Sequence, residues 1–179
     1  MTINVIFDDR QPNDYERLIE EFALQGIRDY KFWSAVVDKD SVVASINASH
    51  RMIVQDAKDN NFRYCIVAEQ DLMFTSPNSW KFFLGNKPEE FDLYLWGSYL
   101  VPLTNKMVCG FQLYIIAEKF YDTFLSVDPN AHVDTEMDKL GGDYHFCYPF
   151  PALQRAGFSA NNKAVCDYNA VLEEKYIYK

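Results

Sequence analysis

Long hydrophobic runs, clustered basic residues and paired cysteines are all missing from this sequence, and each absence excludes a class of function. No apolar stretch approaches the ~20 residues of a membrane-spanning helix, so no membrane segment is expected. The 17 Lys and Arg are outnumbered by 26 Asp and Glu, a formal net charge of −9. With no basic stripe to neutralise phosphates, nucleic acid is not an expected partner. Cys65, Cys109, Cys147 and Cys166 stand far apart with no CxxC pair. That usage fits buried free thiols in a reducing compartment. Met1 leads directly into a strand-like run, so no signal peptide is expected and a cytoplasmic location is. There is no GxxxxGK[ST] loop and no Gly-rich phosphate cradle, which weighs against a nucleotidyl or phosphoryl transferase of that design.

What is present is apolar bulk. Apolar residues make up 49% of the 179, with 14 Phe and 12 Tyr, enough for one packed core and a single domain spanning 1–179. Seven Gly and seven Pro are scattered, leaving no linker, and no repeat is visible. Residues 3–7 read as a short strand. Pro12 suits a first helical turn before NDYERLIEEFALQG, where Leu18, Ile19 and Phe22 recur at helical spacing and Gly26 follows the end. DYKFWSAVV offers a second strand, and Asp40 or Ser41 caps a helix whose apolar face includes Ile46, His50, Ile53 and Val54. RYCIVAEQD is a third strand. Strand, helix, strand, helix, strand predicts a mostly parallel sheet with covering helices, an α/β fold. Further on, helices are expected after Pro77, at EKFYDTFLSV and near 135–140, with strands at FDLYLWGSYL, CGFQLYIIA and YHFCY.

The strand CIVA ends in Glu69 and Asp71. In open α/β sheets ligands collect at the carboxyl ends of strands, and residues two apart on an extended segment project to one side. The two carboxylates would then share a hard cation, Mg²⁺ or Mn²⁺. An acidic chain that handles an anionic ligand needs such a bridge. The plainer reading leaves Glu69 solvated and Asp71 opening a turn.

The surrounding text resembles the family 25 glycosyltransferases, which modify lipooligosaccharide or collagen. In that family a helix carrying Ser-His and a basic residue, here Ser49, His50 and Arg51, leads into a strand ending in three acids, here Glu69, Gln70 and Asp71. GFQLYIIAEKFYDTFLS resembles a later segment of the family, and YPFPALQRAGFS its closing signature, matched at Pro149, Pro151, Gln154 and Ser159. The likeness runs in order from about residue 44 to 160. It implies a GT-A-like, Rossmann-related sheet covered by helices on both faces, a nucleotide-sugar donor, a glycan-type hydroxyl acceptor, a role such as lipopolysaccharide biosynthesis, and a cation held by the acidic motif. Gln70 departs from the pattern by placing a neutral amide where the family has an acid. Together with the shortness of the chain, that supports an alternative: a catalytically silent nucleotide- or glycan-binding module.

The resemblance and the chemistry it implies suggest further candidates. Ser49 and His50 would approach the donor, although a histidine on an apolar helix face is equally a core residue. Asp8, Asp9 and Arg10 end the first strand, where a GT-A nucleotide site begins, so Asp8 and Arg10 would lie near the diphosphate; the plainer reading makes Arg10 a surface charge paired with Asp9. Inverting transfer needs a carboxylate base, for which HVDTEMDKLGGDYHF offers Asp134 and Asp138. A capped, solvated helix started by Asp134 or Thr135 and ended by Gly141 and Gly142 is the plainer account of that stretch. His145 is a candidate third metal ligand. Trp96 and Tyr99, beside Gly97, would stack on a sugar or pack in the core.

Overall fold

The computed structural model describes residues 1–11, 13–99, 109–159 and 161–179, with the side chain of Asn13 excepted, so the Pro12 expectation lies outside the described residues. Strand β1 (Ile3–Phe7) is followed by α1 (Asn13–Leu24), β2 (Tyr30–Ser34), α2 (Val42–Asp59) and β3 (Tyr64–Glu69). α1 ends before Gly26, whose φ of +71° a side chain would resist. Ser41 caps α2 by accepting from the Ala44 N–H at 3.1 Å.

A six-stranded sheet runs β2-β1-β3-β6-β5-β7, with β5 at Leu93–Leu95, β6 at Leu113–Ala117 and β7 at Tyr144–Phe146. β1 is parallel to both β2 and β3, and β5 is parallel to β7. β6 alone is reversed, antiparallel to β3 and β5. The central strands β3, β5 and β6 are buried on both faces, which is why CIVA and LYIIA read as continuous apolar runs rather than alternating ones, whereas the edge strands β2 and β7 are only partly covered. Ile66 and Ala68 point into a core with Leu18 and Phe22 of α1 and Phe83 of α3 (Ser79–Gly85). Cys65 and Val67 point the other way, onto Ile53 and Val54 of α2, Phe124 of α4 (Tyr121–Leu125) and Met137 of α5 (Val133–Leu140).

Three elements differ from expectation. β2 stops at Ser34, and Val36 and Val37 lie in the following loop as exposed residues. α5 is started by His132 with no side-chain cap, because Asp134 spends its Oδ1 on the Thr135 N–H (2.9 Å) and its Oδ2 elsewhere. Its other end follows the sequence, with Gly141 at φ +71°. The third difference is a ribbon apart from the main sheet: β4 (Leu72–Phe74) pairs antiparallel with β8 (Ala152–Gln154). A hairpin of β9 (Gly157–Ser159) and β10 (Ala164–Cys166) follows it. This ribbon draws the C-terminal segment under the turn at Gln70–Asp71.

Candidate active site

A cleft of about 510 Å³ opens at the carboxyl ends of β1 and β3, where the topology of a parallel sheet puts ligands. Its lining includes Asp8, Arg10, Ser49, His50, Glu69 and Asp71, so all six donor and metal candidates from strands β1 and β3 and helix α2 meet at one place.

The two acids converge for a reason other than the expected one. β3 ends at Glu69, and Gln70 and Asp71 form a turn before β4, so the pair straddles the start of a turn and is not set by strand alternation. Gln70, between them, accepts from the Asp8 N–H at 2.5 Å and ties the end of β1 to the acid turn. A neutral amide therefore has a structural task at the position where the resembling family carries an acid.

Each carboxylate is held by side-chain partners from other elements. Glu69 Oε1 meets His50 Nε2 at 3.1 Å, and Gln112 Nε2 donates to Glu69 Oε2 at 3.3 Å. His50 is 1% exposed, its Nδ1 is 3.1 Å from the Tyr114 hydroxyl, and its ring packs on Phe111. It is thus both a core residue and a strut that orients Glu69. Gln154 Nε2 donates to Asp71 Oδ2 at 2.7 Å and its Oε1 accepts from Gln112, while Asp71 Oδ1 is buried without a hydrogen-bond partner among the described residues. Burial, and then the Glu69 charge, push the Asp71 carboxyl up to about 7. An orphaned buried oxygen beside a second carboxylate suits a divalent cation, since Mg²⁺-type ions bind through one or two carboxylates and leave positions for phosphate. The residues present fit such an ion as an all-oxygen pair; among the described residues no group of three or more His, Cys, Asp or Glu gathers around it.

The remaining candidates lie elsewhere. His145 does not line the cleft; its Nε2 is 3.0 Å from Asp143 Oδ1. β7 runs parallel to β5, and Asp143, just before β7, is hydrogen-bonded to Asp92 just before β5, so that pair sits at the amino end of the sheet. The structure therefore does not bring His145 to Glu69 and Asp71. Asp134 and Asp138 also lie outside the cleft lining. Asp134 Oδ2 accepts from the Gly110 N–H at 2.9 Å, which places it at the cleft's edge of the sheet, two residues before Gln112. Gly110 has φ +100°, and a Cβ there would come within 2.5 Å of Gln112 Oε1. The charges of Asp134 and Asp138 also help push the Cys109 thiol up, after burial. Ser49 Oγ accepts from the Val36 N–H and donates to Ser45 O, fastening the loop after β2 to α2. Arg10 is locked onto Asp8, Nε to Oδ1 at 2.7 Å and Nη2 to Oδ2 at 2.6 Å, and this pairing holds the Asp8 carboxyl low. Trp96 is fully buried and donates to Gly110 O, so it is core. Tyr99, half-buried, receives the Gln154 N–H at 2.7 Å and packs on Tyr168 of the cleft wall.

Sequence reasoning did not assign a role to Arg17, Gln112, Gln154 or Arg155. Gln154 stands in the closing signature, but its contact with Asp71 spans 83 residues and is made by the β4–β8 ribbon.

No protein-family model matches this chain, and no curated protein matches its sequence. Solved structures do resemble it. A glycosyltransferase involved in the glycosylation of the major capsid of PBCV-1 matches with a TM-score of 0.54 at 10% identity, covering 81% of this chain and 80% of that one. A197 from STIV matches at 0.54 and 12%, covering 92% of each. The catalytic domain of Drosophila beta1,4-galactosyltransferase 7 in complex with xylobiose matches at 0.52 and 16%. It is covered over 64% of its length by 82% of this chain. A mutant of that galactosyltransferase, in complex with manganese, UDP-Gal and xylobiose, matches at 0.50 and 12% over the same shares. This chain therefore has a GT-A-type fold. The likeness extends to that class and does not single out family 25.

Proposed function

We propose that this protein transfers a sugar from a nucleotide-sugar donor, of the uridine diphosphate type, to a hydroxyl of a glycan-type acceptor, with Mn²⁺ or Mg²⁺ held by Glu69 and Asp71. The observation that carries the proposal is the buried, partnerless Asp71 Oδ1 beside Glu69 at the carboxyl end of β3, on a GT-A-type fold. The manganese and UDP-Gal bound by the galactosyltransferase mutant support the same choice of cofactor and donor. When bound, the cation would supply positive charge against the departing diphosphate, charge that grows in the transition state.

The chain's own residues do the rest. His50, anchored on Tyr114, holds the Glu69 carboxylate toward the cleft, and Gln154 does the same for Asp71. Gln70 keeps the end of β1, with Asp8 and Arg10, against the acid turn. For the acceptor side we assign the base to Asp134, with Asp138 one turn further along α5; Asp134 lies at the same sheet edge, and each of its oxygens accepts one backbone N–H among the described residues, leaving acceptor capacity on the carboxylate. An acceptor of the lipooligosaccharide kind belongs to the same proposal through the sequence resemblance.

Calorimetric titration of uridine diphosphate, with and without Mn²⁺, on wild type and Asp71→Ala tests this reading. Metal-dependent binding that disappears in the variant is expected. Absence of metal-dependent binding to the wild type sinks the metal-site assignment, and tight nucleotide binding without any sugar transfer would favour a silent binding module.

A further inference from the structure

Of the three arginines that line the cleft, Arg10 has both of its forked donors closed by Asp8. The other two are differently placed. Arg17, on α1, gives Nη2 to Asp14 Oδ1 (2.9 Å) and to Gln70 O (3.1 Å), and its Nη1 is buried with no hydrogen-bond partner among the described residues. Arg155 follows β8; its backbone N–H donates to Asp71 O at 2.7 Å, and its side-chain Nε is likewise buried and unpartnered. The Arg17 guanidinium and the Arg155 backbone thus meet the Gln70–Asp71 turn from different parts of the chain; both side chains line the cleft, and the Arg155 charge is opposed by that of Arg17 and favoured by those of Glu21, Asp14 and Asp71.

A buried charged donor left without an acceptor is costly, and two like charges held near one another add to that cost. One oxyanion accepting from both removes the two penalties together, and the planar guanidinium fork suits phosphate oxygens. We propose that Arg17 and Arg155 form a metal-independent oxyanion subsite that grips the diphosphate of the donor. The assignment to a donor rests on the function proposed above, but the subsite itself rests on the two arginines. Part of the diphosphate affinity then survives removal of every divalent cation, and a chain with nine excess negative charges holds its anionic ligand by two fixed cations as well as by a bound one.

The test is titration of inorganic pyrophosphate, and separately of uridine diphosphate, into the full chain in chelator. The variants are Arg17→Met, Arg155→Met and Asp14→Asn. Pyrophosphate is expected to bind without metal and to weaken by about tenfold or more in each Met variant, the loss of one charge-assisted hydrogen bond. Asp14→Asn, which frees Arg17 from its competing carboxylate, is expected to tighten binding several-fold; a misfolded variant would not gain affinity. Pyrophosphate binding that is absent in chelator, or unmoved in both Met variants, overturns the subsite. Arginine-dependent binding in which uridine diphosphate is no tighter than pyrophosphate keeps the subsite and overturns the nucleotide-donor reading instead.

Discussion

The acid turn at Glu69–Asp71 and the acids around α5 and β7 are similar in sequence and opposite in physical state. At the turn, a carboxylate oxygen of Asp71 is buried and unpartnered among the described residues, and the Glu69 charge adds to the cost of ionising Asp71. Around α5, Asp134 has a backbone N–H on each oxygen, and at the start of β7 Asp143 is answered by His145. Carboxylates already answered by the chain's own donors do not call for a cation. Carboxylates kept under-satisfied are poised for something the chain does not itself supply.

The largest effect should come from removing the poised charge. Asp71 has its folded pKa raised to about 7, above its unfolded value near 4. The folded state then binds the extra proton between those values, so this group costs stability as pH rises from about 4 through 7. By pH 8 the cost is on the order of a few kcal/mol. Asp71→Asn should flatten that slope and be more stable than wild type at pH 8 in chelator, while losing all response to Mn²⁺. Thermal melts across pH, with chelator or Mn²⁺, measure both. A variant that keeps the wild-type slope would show that Asp71 is not the strained group.

Asp134→Asn sharpens the contrast from the other side. If satisfied acids serve binding least, affinity for uridine diphosphate should hold within about twofold, while turnover falls by about 100-fold through loss of the base. Steady-state kinetics beside calorimetry separate the two, and unchanged turnover would return Asp134 to a purely structural role at Gly110. His50→Ala comes next. It empties a buried site and strands both the Tyr114 hydroxyl and Glu69 Oε1, so a loss of roughly 2–4 kcal/mol is expected in denaturant unfolding.

How far these regions were legible in sequence follows from the distance over which their contacts act. β1, α1, α2 and β3 are local: continuous apolar strands, helical spacing and a Ser cap announce them, and the parallel order follows from their alternation. The acid pair was legible as a pair, but its convergence through a turn was not, because nothing within CIVAEQDLMF separates an extended end from a reversed one. β4 and β8 are each three residues long, too short to show a period, and only their pairing brings Gln154 and Arg155 to the turn. Arg17 was hidden differently. On α1 it reads as an ordinary polar-face residue, and its role depends on a carbonyl 53 residues away. The misplacement of His145 has the same origin: a histidine near acids in sequence carries no information about which end of a sheet it occupies.

That last residue gives the smallest expected effect and the cleanest use of the comparison. The His145 side chain is 41% exposed and Asp143 55%, and their contact lies at the amino end of the sheet, away from the acid turn. An exposed pair of this kind contributes about 0–1 kcal/mol. His145→Ala should therefore shift unfolding by less than about 0.5 kcal/mol and leave Mn²⁺-dependent binding of uridine diphosphate unchanged. A loss of metal response in this variant would mean that β7 reaches the cation by a rearrangement of the sheet edge. The division between a poised acid turn and satisfied acids elsewhere would then fail, because the satisfied set would be supplying a ligand. An unchanged response leaves the cation's protein ligands to Glu69 and Asp71, with His50 and Gln154 acting through them rather than beside them.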